Sequence, residues 1–374
     1  MGETWSAVAL ATNGVQGLQP YEPGKPLAEL YREYGIRDAV KLASNENPLG
    51  AGAKARAAAV VALEEPARYP DGNGYELKQS LGERHGVPTP MITLGNGSND
   101  VLELIARVFL SPQRNAVFSQ HAFAVYPLVT QAVGAQARVA QALDPGSTAP
   151  YGHDLDAMAR LVDSATGVVF IANPNNPTGT WVDFSALHRF LVQTPRSAIV
   201  VVDEAYFEYV EEADYPNAMV WLNEFPNLVV TRTFSKAYGL AALRVGYSVS
   251  QPEVADLLNR VRQPFNVNAV AQAAASAALG DEAHIQASVS LNRAGMQLWR
   301  RALDERGIEY IPSVGNFISV DVARPAKAVY EALLKEGVIT RPVGGYGLPR
   351  HLRITIGTPS ENERAIAALD KVLA

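Results

Sequence analysis

A chain of 374 residues, 48% hydrophobic and 19% charged, has the apolar inventory for two domains sharing ordinary soluble-globular composition. A net charge of −6 with no block of lysine or arginine argues against a nucleic-acid surface, and the absence of cysteine excludes disulfides and thiolate metal sites. Six scattered histidines without H-E-x-x-H or comparable spacing predict no metal site; no leader-like opening or membrane-length apolar run is present, so the cytoplasm is the expected compartment and no membrane partner is expected.

Residues 1 to about 20 are unperiodic and are expected to form a mobile arm. Tyr21-Glu22-Pro23-Gly24-Lys25-Pro26 is turn chemistry containing an aromatic, and Lys41 to Gly50 (K-L-A-S-N-E-N-P-L-G) is a polar loop to which spacing alone assigns no role. Ala53 to Glu65 is alanine-rich and predicts a helix. Arg68 to Gly74 (R-Y-P-D-G-N-G) predicts a surface turn that carries Tyr69.

The apolar residues Met91 to Leu94 lead into Gly95 and Gly97, and Val101, Leu102, Ile105 and Val108 then mark an amphipathic helix. A glycine turn opening a helix presents free N–H groups and a positive dipole end to an anion, which makes Gly97, Ser98 and Asn99 a candidate phosphate cradle. This is not a complete G-x-G-x-x-G, and no acidic residue at the expected offset supports a dinucleotide. Ala116 to Ser119 predicts a short strand. Phe123 and Tyr126 follow at helical spacing, which ordinarily means core, and His121 fits a loop or core histidine.

Val168 to Ala172 predicts a strand running into the rigid loop N-P-N-N-P-T-G (Asn173 to Gly179). After a helix over Phe184 to Gln193, A-I-V-V-V-D-E-A-Y predicts a strand buried on both faces, with Asp203 at the carboxyl end where α/β sheets bind ligands. Leu228 to Val230 predicts the next strand. It breaks into Thr231-Arg232-Thr233-Phe234-Ser235-Lys236, and Arg244 lies eight residues beyond the lysine. This stretch gathers an amine of the type that forms Schiff bases with carbonyl compounds, together with hydroxyls and a guanidinium suited to a phosphate.

Arg260 to Asn268, interrupted by Pro264, predicts an interdomain crossing. A long helix over Glu282 to Arg306 is followed by G-I-E-Y-I, N-F-I-S-V-D-V, a helix near Ala326 to Glu336, V-I-T-R-P, H-L-R-I-T-I-G and a last helix over Glu361 to Leu373, which predict a compact α+β unit. Arg353 alternates with Leu352, Ile354 and Ile356, a pattern that points it away from a buried face as a solvated strand arginine.

Seven motifs, Y-x-P-G, N-E-N-P, R-Y-P, N-N-P-T-G, D-E-A-Y, S-K-A and L-R-I-T-x-G, occur in this order from about Tyr21 to the last helix. Together they resemble the fold-type I pyridoxal-phosphate enzymes, in the class that contains the histidinol-phosphate aminotransferases. The resemblance implies an α/β fold: a large domain (45–262) with a mostly parallel central sheet flanked by helices, a smaller α+β domain (263–374), and an N-terminal arm (1–44) that adds to the small domain.

It also implies pyridoxal 5'-phosphate as cofactor, with Lys236 forming the aldimine and Asp203 pairing with the ring nitrogen. Gly97, Ser98, Asn99, Thr233, Ser235 and Arg244 would hold the phosphate. Phe123 would stack on the ring, and Asn176 and Tyr206 would reach its 3′ oxygen. Tyrosine is common at the Phe123 position of the family; phenylalanine keeps the stacking face and loses the hydroxyl. Tyr69 would cross a homodimer interface to the neighbouring cofactor phosphate. Arg353 would bind the substrate carboxylate, and Arg341 with Tyr21 the substrate phosphate. The expected reaction converts L-histidinol phosphate and 2-oxoglutarate to imidazole-acetol phosphate and L-glutamate in histidine biosynthesis. Aromatic amino-acid aminotransferases and threonine-phosphate decarboxylase-like lyases share the scaffold and stay open as alternatives.

Overall fold

The computed structural model describes residues 5–374. The arm forms two single-turn helices, Ala7–Leu10 and Asn13–Gln16, and then the longer helix Leu27–Tyr34. The large body is built on a seven-stranded sheet. From one edge to the other its strands are Ile92–Gly95, Gly246–Ser250, Leu228–Thr233, Ile199–Asp203, Thr166–Ala172, Asn115–Ser119 and Gln136–Ala140. Gly246–Ser250 runs antiparallel to both of its neighbours, and the other pairings are parallel.

The central strands are continuous apolar runs because both faces of the sheet are covered. Their side chains alternate between two cores, as the two-residue period of a strand requires. Val169, Ile171, Val200, Val202, Leu228 and Val230 face one core, which is closed by helices including Tyr75–His85, Phe184–Gln193 and Ala269–Leu279. Val168, Phe170, Ile199, Val201 and Val229 face the other, closed by Ser98–Phe109, Val125–Ala132 and Pro252–Val261.

The smaller body is an antiparallel sheet in the order Arg341–Pro342, His351–Thr355, Phe317–Asp321 and Tyr310–Ile311. It packs with helices Ala326–Lys335 and Pro359–Leu373 around Trp299, Leu303, Ile318 and Leu352. Val40–Lys41 pairs in parallel with Val338–Ile339, which ties the N-terminal segment to this body.

The passage between bodies differs from the expectation at Arg260–Asn268. Helix Ala269–Leu279 returns to the large body, where Ala271, Ala274 and Ala275 are buried in the first core. The crossing is made by the 24-residue helix Glu282–Glu305. Its first half buries Ile285 and Val289 in the large core, and its second half buries Met296, Trp299 and Leu303 in the small one. Pro264 breaks a helix without redirecting the chain, because the small alanine faces that follow still pack against helix Ala53–Ala62.

Trp299 is fully buried, and its indole N–H donates to Asn362 Oδ1 at 3.0 Å. Trp299→Ala leaves a large cavity and removes one buried hydrogen bond, while Asn362 Oδ1 keeps its bond from the Gly357 N–H, so we expect a loss of roughly 3–5 kcal/mol, read as a lower denaturant midpoint in chemical unfolding.

Candidate active site

Adjacent strands deliver the site. The carboxyl ends of Thr166–Ala172, Ile199–Asp203 and Leu228–Thr233 open side by side, which is where parallel sheets place ligands. Above them lies a cavity of about 320 Å³ between the two bodies. Its lining includes Tyr21, Ser98, Asn99, Phe123, Asn176, Asp203, Tyr206, Thr233, Ser235, Lys236, Arg244, Arg341 and Arg353. Residues spread over more than three hundred positions of sequence therefore converge on one volume.

One end of the cavity is an anion cradle. Helix Ser98–Phe109 begins after Gly97, whose φ of 87° lies in the region that only glycine adopts freely. The first-turn N–H groups of Ser98 and Asn99 have no acceptor within the helix. Arg244 arches over the turn, with Nη1 donating to Ser235 Oγ at 3.2 Å. A Cβ on Gly97 would stand 2.3 Å from Arg244 Nη2, and one on Gly246 would stand 2.4 Å from the Ser98 nitrogen. Two glycines thus keep backbone N–H groups, hydroxyls and a guanidinium close enough to share one phosphate.

Asp203, 4% exposed, marks the floor. Its Oδ2 accepts from the Tyr126 hydroxyl and its Oδ1 from Thr231 Oγ1, both at 2.9 Å, and further lone pairs remain for a ligand cation. Burial lifts its pKa to about 6, against the two hydroxyl donors and the Lys236 charge, which favour the carboxylate. Across the cavity Lys236 Nζ donates to the Ser44 carbonyl at 3.1 Å and lies 5.7 Å from the centre of the Tyr206 ring. Burial, reinforced by the Arg353 charge, lowers this lysine to about 7, so a nucleophilic amine is available near neutrality.

Arg353 is buried, contrary to the solvated position that its alternation suggests. All five residues of His351–Thr355 are covered, because the large body closes the face that a lone sheet would leave wet. Arg353 donates from Nη1 to Asn176 Oδ1 and from Nη2 to the Ala43 carbonyl, the latter at 2.6 Å. The first bond leaves the Asn176 NH2 directed elsewhere, with the cavity beside it. At the mouth Arg341 donates to the Glu22 carbonyl and lies 5.6 Å from the Tyr21 ring.

Tyr69 is not in this cavity. It is 82% exposed and stacks on Phe265 with ring centres 4.7 Å apart. Tyr126 and Thr231, which hold Asp203, and Asn45, whose Nδ2 donates to Tyr206 Oη at 2.9 Å, were not singled out from the sequence. Tyr126 carries a signal in retrospect: a tyrosine among core positions of a helix needs a partner for its hydroxyl. Asn45 offers only its place in N-E-N-P.

The mostly parallel sheet, the strand-end lysine and the cradle define a fold-type I architecture. Residues 37–369 match the family described as aminotransferase class I and II, and the chain belongs to that family. It is 60% identical over 369 residues to histidinol-phosphate aminotransferase 2 of Pseudomonas fluorescens, with 98% of each chain covered. It is 55% identical to histidinol-phosphate aminotransferase 1 of Nitrosococcus oceani, with 97% of each covered. Among solved structures, histidinol-phosphate aminotransferase from Sinorhizobium meliloti in complex with pyridoxal-5'-phosphate superposes with a TM-score of 0.88 at 28% identity over 97% of both chains.

In cofactor-free protein the proton that shields the Lys236 amine leaves near pH 7 instead of 10.5. Reductive methylation followed by peptide mass mapping is expected to show Lys236 labelling rising through pH 7; a midpoint at the ordinary lysine value would contradict this. Between these pH values the unfolded chain holds the proton and the native chain does not, so this residue makes stability rise with pH across that window.

Proposed function

We propose that this chain transfers the amino group of L-histidinol phosphate to 2-oxoglutarate, giving imidazole-acetol phosphate and L-glutamate in histidine biosynthesis. The observation that carries this reading is the pair of arginines set apart along one cavity, Arg353 at its wall and Arg341 at its mouth, opposite a separate phosphate cradle. Two phosphate-binding regions suit a phosphorylated cofactor and a phosphorylated substrate. The 60% identity to a histidinol-phosphate aminotransferase supports the same substrate.

In this reading Gly97, Ser98, Asn99, Thr233, Ser235 and Arg244 would hold the phosphate of pyridoxal 5'-phosphate, Phe123 would face its ring, and Asn176 and Tyr206 would reach its 3′ oxygen. The bound cofactor supplies an aldehyde for the substrate amine and a ring that accepts the electrons released at the substrate Cα. Asp203, kept in place by Tyr126 and Thr231, would hold the proton on the ring nitrogen that makes this electron acceptance favourable. The neutral amine of Lys236 would take the proton from the substrate Cα as general base and, as general acid, deliver it to the cofactor carbon that keeps the amino group. Arg353 exchanges its bond to Asn176 for the carboxylate of 2-oxoglutarate, a charge-assisted pairing. Arg341 and Tyr21 receive the substrate phosphate, and the distal carboxylate of 2-oxoglutarate uses the same place.

The reading includes a cytoplasmic homodimer. Val60, Val61, Leu63, Tyr69 and Tyr75 are exposed apolar or aromatic residues on neighbouring segments, and a second copy is the partner we assign to them. Tyr69 then reaches the neighbouring cofactor phosphate. No helix among the described residues is long and apolar enough to cross a membrane.

With both substrates supplied, glutamate and imidazole-acetol phosphate are expected in equal amounts, with parallel double-reciprocal plots. Phenylalanine as the preferred donor would move the assignment to aromatic amino acids, and carbon dioxide release from threonine phosphate would indicate a lyase. Tyr69→Phe is expected to weaken pyridoxal-phosphate binding by about three- to tenfold; an unchanged Kd would remove Tyr69 from the site.

A further inference from the structure

Asn45 is a buried residue with a φ of 55°, in the left-handed region that asparagine tolerates better than other side chains. Every polar atom it has is bonded. Its N–H donates to Thr355 Oγ1 at 2.9 Å, and its carbonyl accepts from Asn316 Nδ2 at 3.1 Å. Thr355 Oγ1 donates to Asn45 Oδ1 at 3.1 Å, and Asn45 Nδ2 donates to Tyr206 Oη at 2.9 Å. Thr355 Oγ1 accepts the backbone N–H and gives its single hydrogen to Oδ1, and in this arrangement the NH2 group faces the tyrosine.

Tyr206 Oη, having accepted that hydrogen bond, keeps its own proton at the wall of the cavity. A hydroxyl that accepts a bond becomes a stronger donor in turn. We infer that Asn45 is a positioning residue that directs the Tyr206 proton onto the phenolic oxygen of the bound cofactor, and so favours the anionic form of that oxygen. The inference rests on the proposed placement of Tyr206 beside the 3′ oxygen.

The groups that face Tyr206 from the surrounding elements are Arg353, Lys236, Asp203, Tyr126, Tyr209 and Tyr346. Burial pushes the Tyr206 hydroxyl up to about 12, while Arg353 and the Asn45 amide pull against that rise. The phenolic oxygen bears its least compensated charge when the imine nitrogen next to it has lost its proton. A donor to that oxygen therefore lowers the pH at which the bound cofactor changes its absorbance.

The test is a spectrophotometric pH titration of holoenzyme in the absence of substrate. Asn45→Gly keeps the left-handed backbone without steric cost and deletes only the amide. It is expected to raise the midpoint by about half to one pH unit. Tyr206→Phe should raise it further, and adding Asn45→Gly to Tyr206→Phe should shift nothing more. Asn45→Asp replaces the donor by an acceptor that captures the tyrosine proton and adds a negative charge at the cavity wall, and should raise the midpoint at least as far as Tyr206→Phe. If Asn45→Gly does not fold, Thr355→Val frees the amide to turn over and should raise the midpoint in the same direction.

An unshifted midpoint in Asn45→Gly or Thr355→Val, or a shift that adds to that of Tyr206→Phe, would overturn the role of Asn45. An unshifted midpoint in Tyr206→Phe would instead overturn the placement of Tyr206 on which the inference rests.

Discussion

The cavity depends on one electrostatic requirement: a lysine that loses its proton near neutrality must share a water-poor volume with a carboxylate that keeps its charge. Burial alone would neutralise both. The structure separates them by giving each different company. Lys236 is pushed toward the free amine by desolvation and by Arg353, and its nearest polar contact is the carbonyl of Ser44. Asp203 is desolvated too, but two hydroxyls donate to it from strand and helix positions fixed by the large core. Asp203 ends its strand and Lys236 follows three residues after the end of the neighbouring strand, so both face the same cavity.

The short segment Ala43–Asn45 joins these requirements to the small body. Three successive residues contact three different functional side chains: Ala43 accepts from Arg353, Ser44 from Lys236, and Asn45 donates to Tyr206. The same segment is held through Thr355, two residues beyond Arg353 on the same strand. A change at Arg353 therefore reaches the Lys236 amine and Tyr206 through one stretch of backbone.

Much of this was legible because the central strands are buried on both faces and so appear as unbroken apolar runs, with polar side chains immediately after them. Asp203 and Lys236 are conspicuous for that reason, and the glycine turn before Ser98 is local in the same way. Contacts between distant segments were not legible. Asn45 and Thr355 are separated by 310 positions, and no periodicity links them. Arg353 misled through alternation, since the pattern assumes one wet face and the strand has none. The passage between bodies was misplaced because a proline marks a break and is silent on which core receives the next helix. Tyr69 lies on the exposed surface, stacked on Phe265, and nothing local in its turn distinguishes it from an ordinary loop tyrosine.

Besides the arm, whose helix Asn13–Gln16 packs on helix Val125–Ala132 of the large body, the chain passes between its two bodies at the segment around residues 42–47 and along helix Glu282–Glu305, and the side chain of Asn47 pins these last two passages together. Its Nδ2 donates to Ser288 Oγ on the helix and to the carbonyl of Ala237, each at 2.8 Å. Two covalent crossings far apart would form a door hinge; two crossings fastened at one place form a pivot. That pivot adjoins Lys236, so the lever arm is short at the reacting amine and long at the rim, where Arg341 and Tyr21 stand. Any rotation of the small body about Asn47 leaves the amine nearly stationary and spends most of its travel at the cavity mouth.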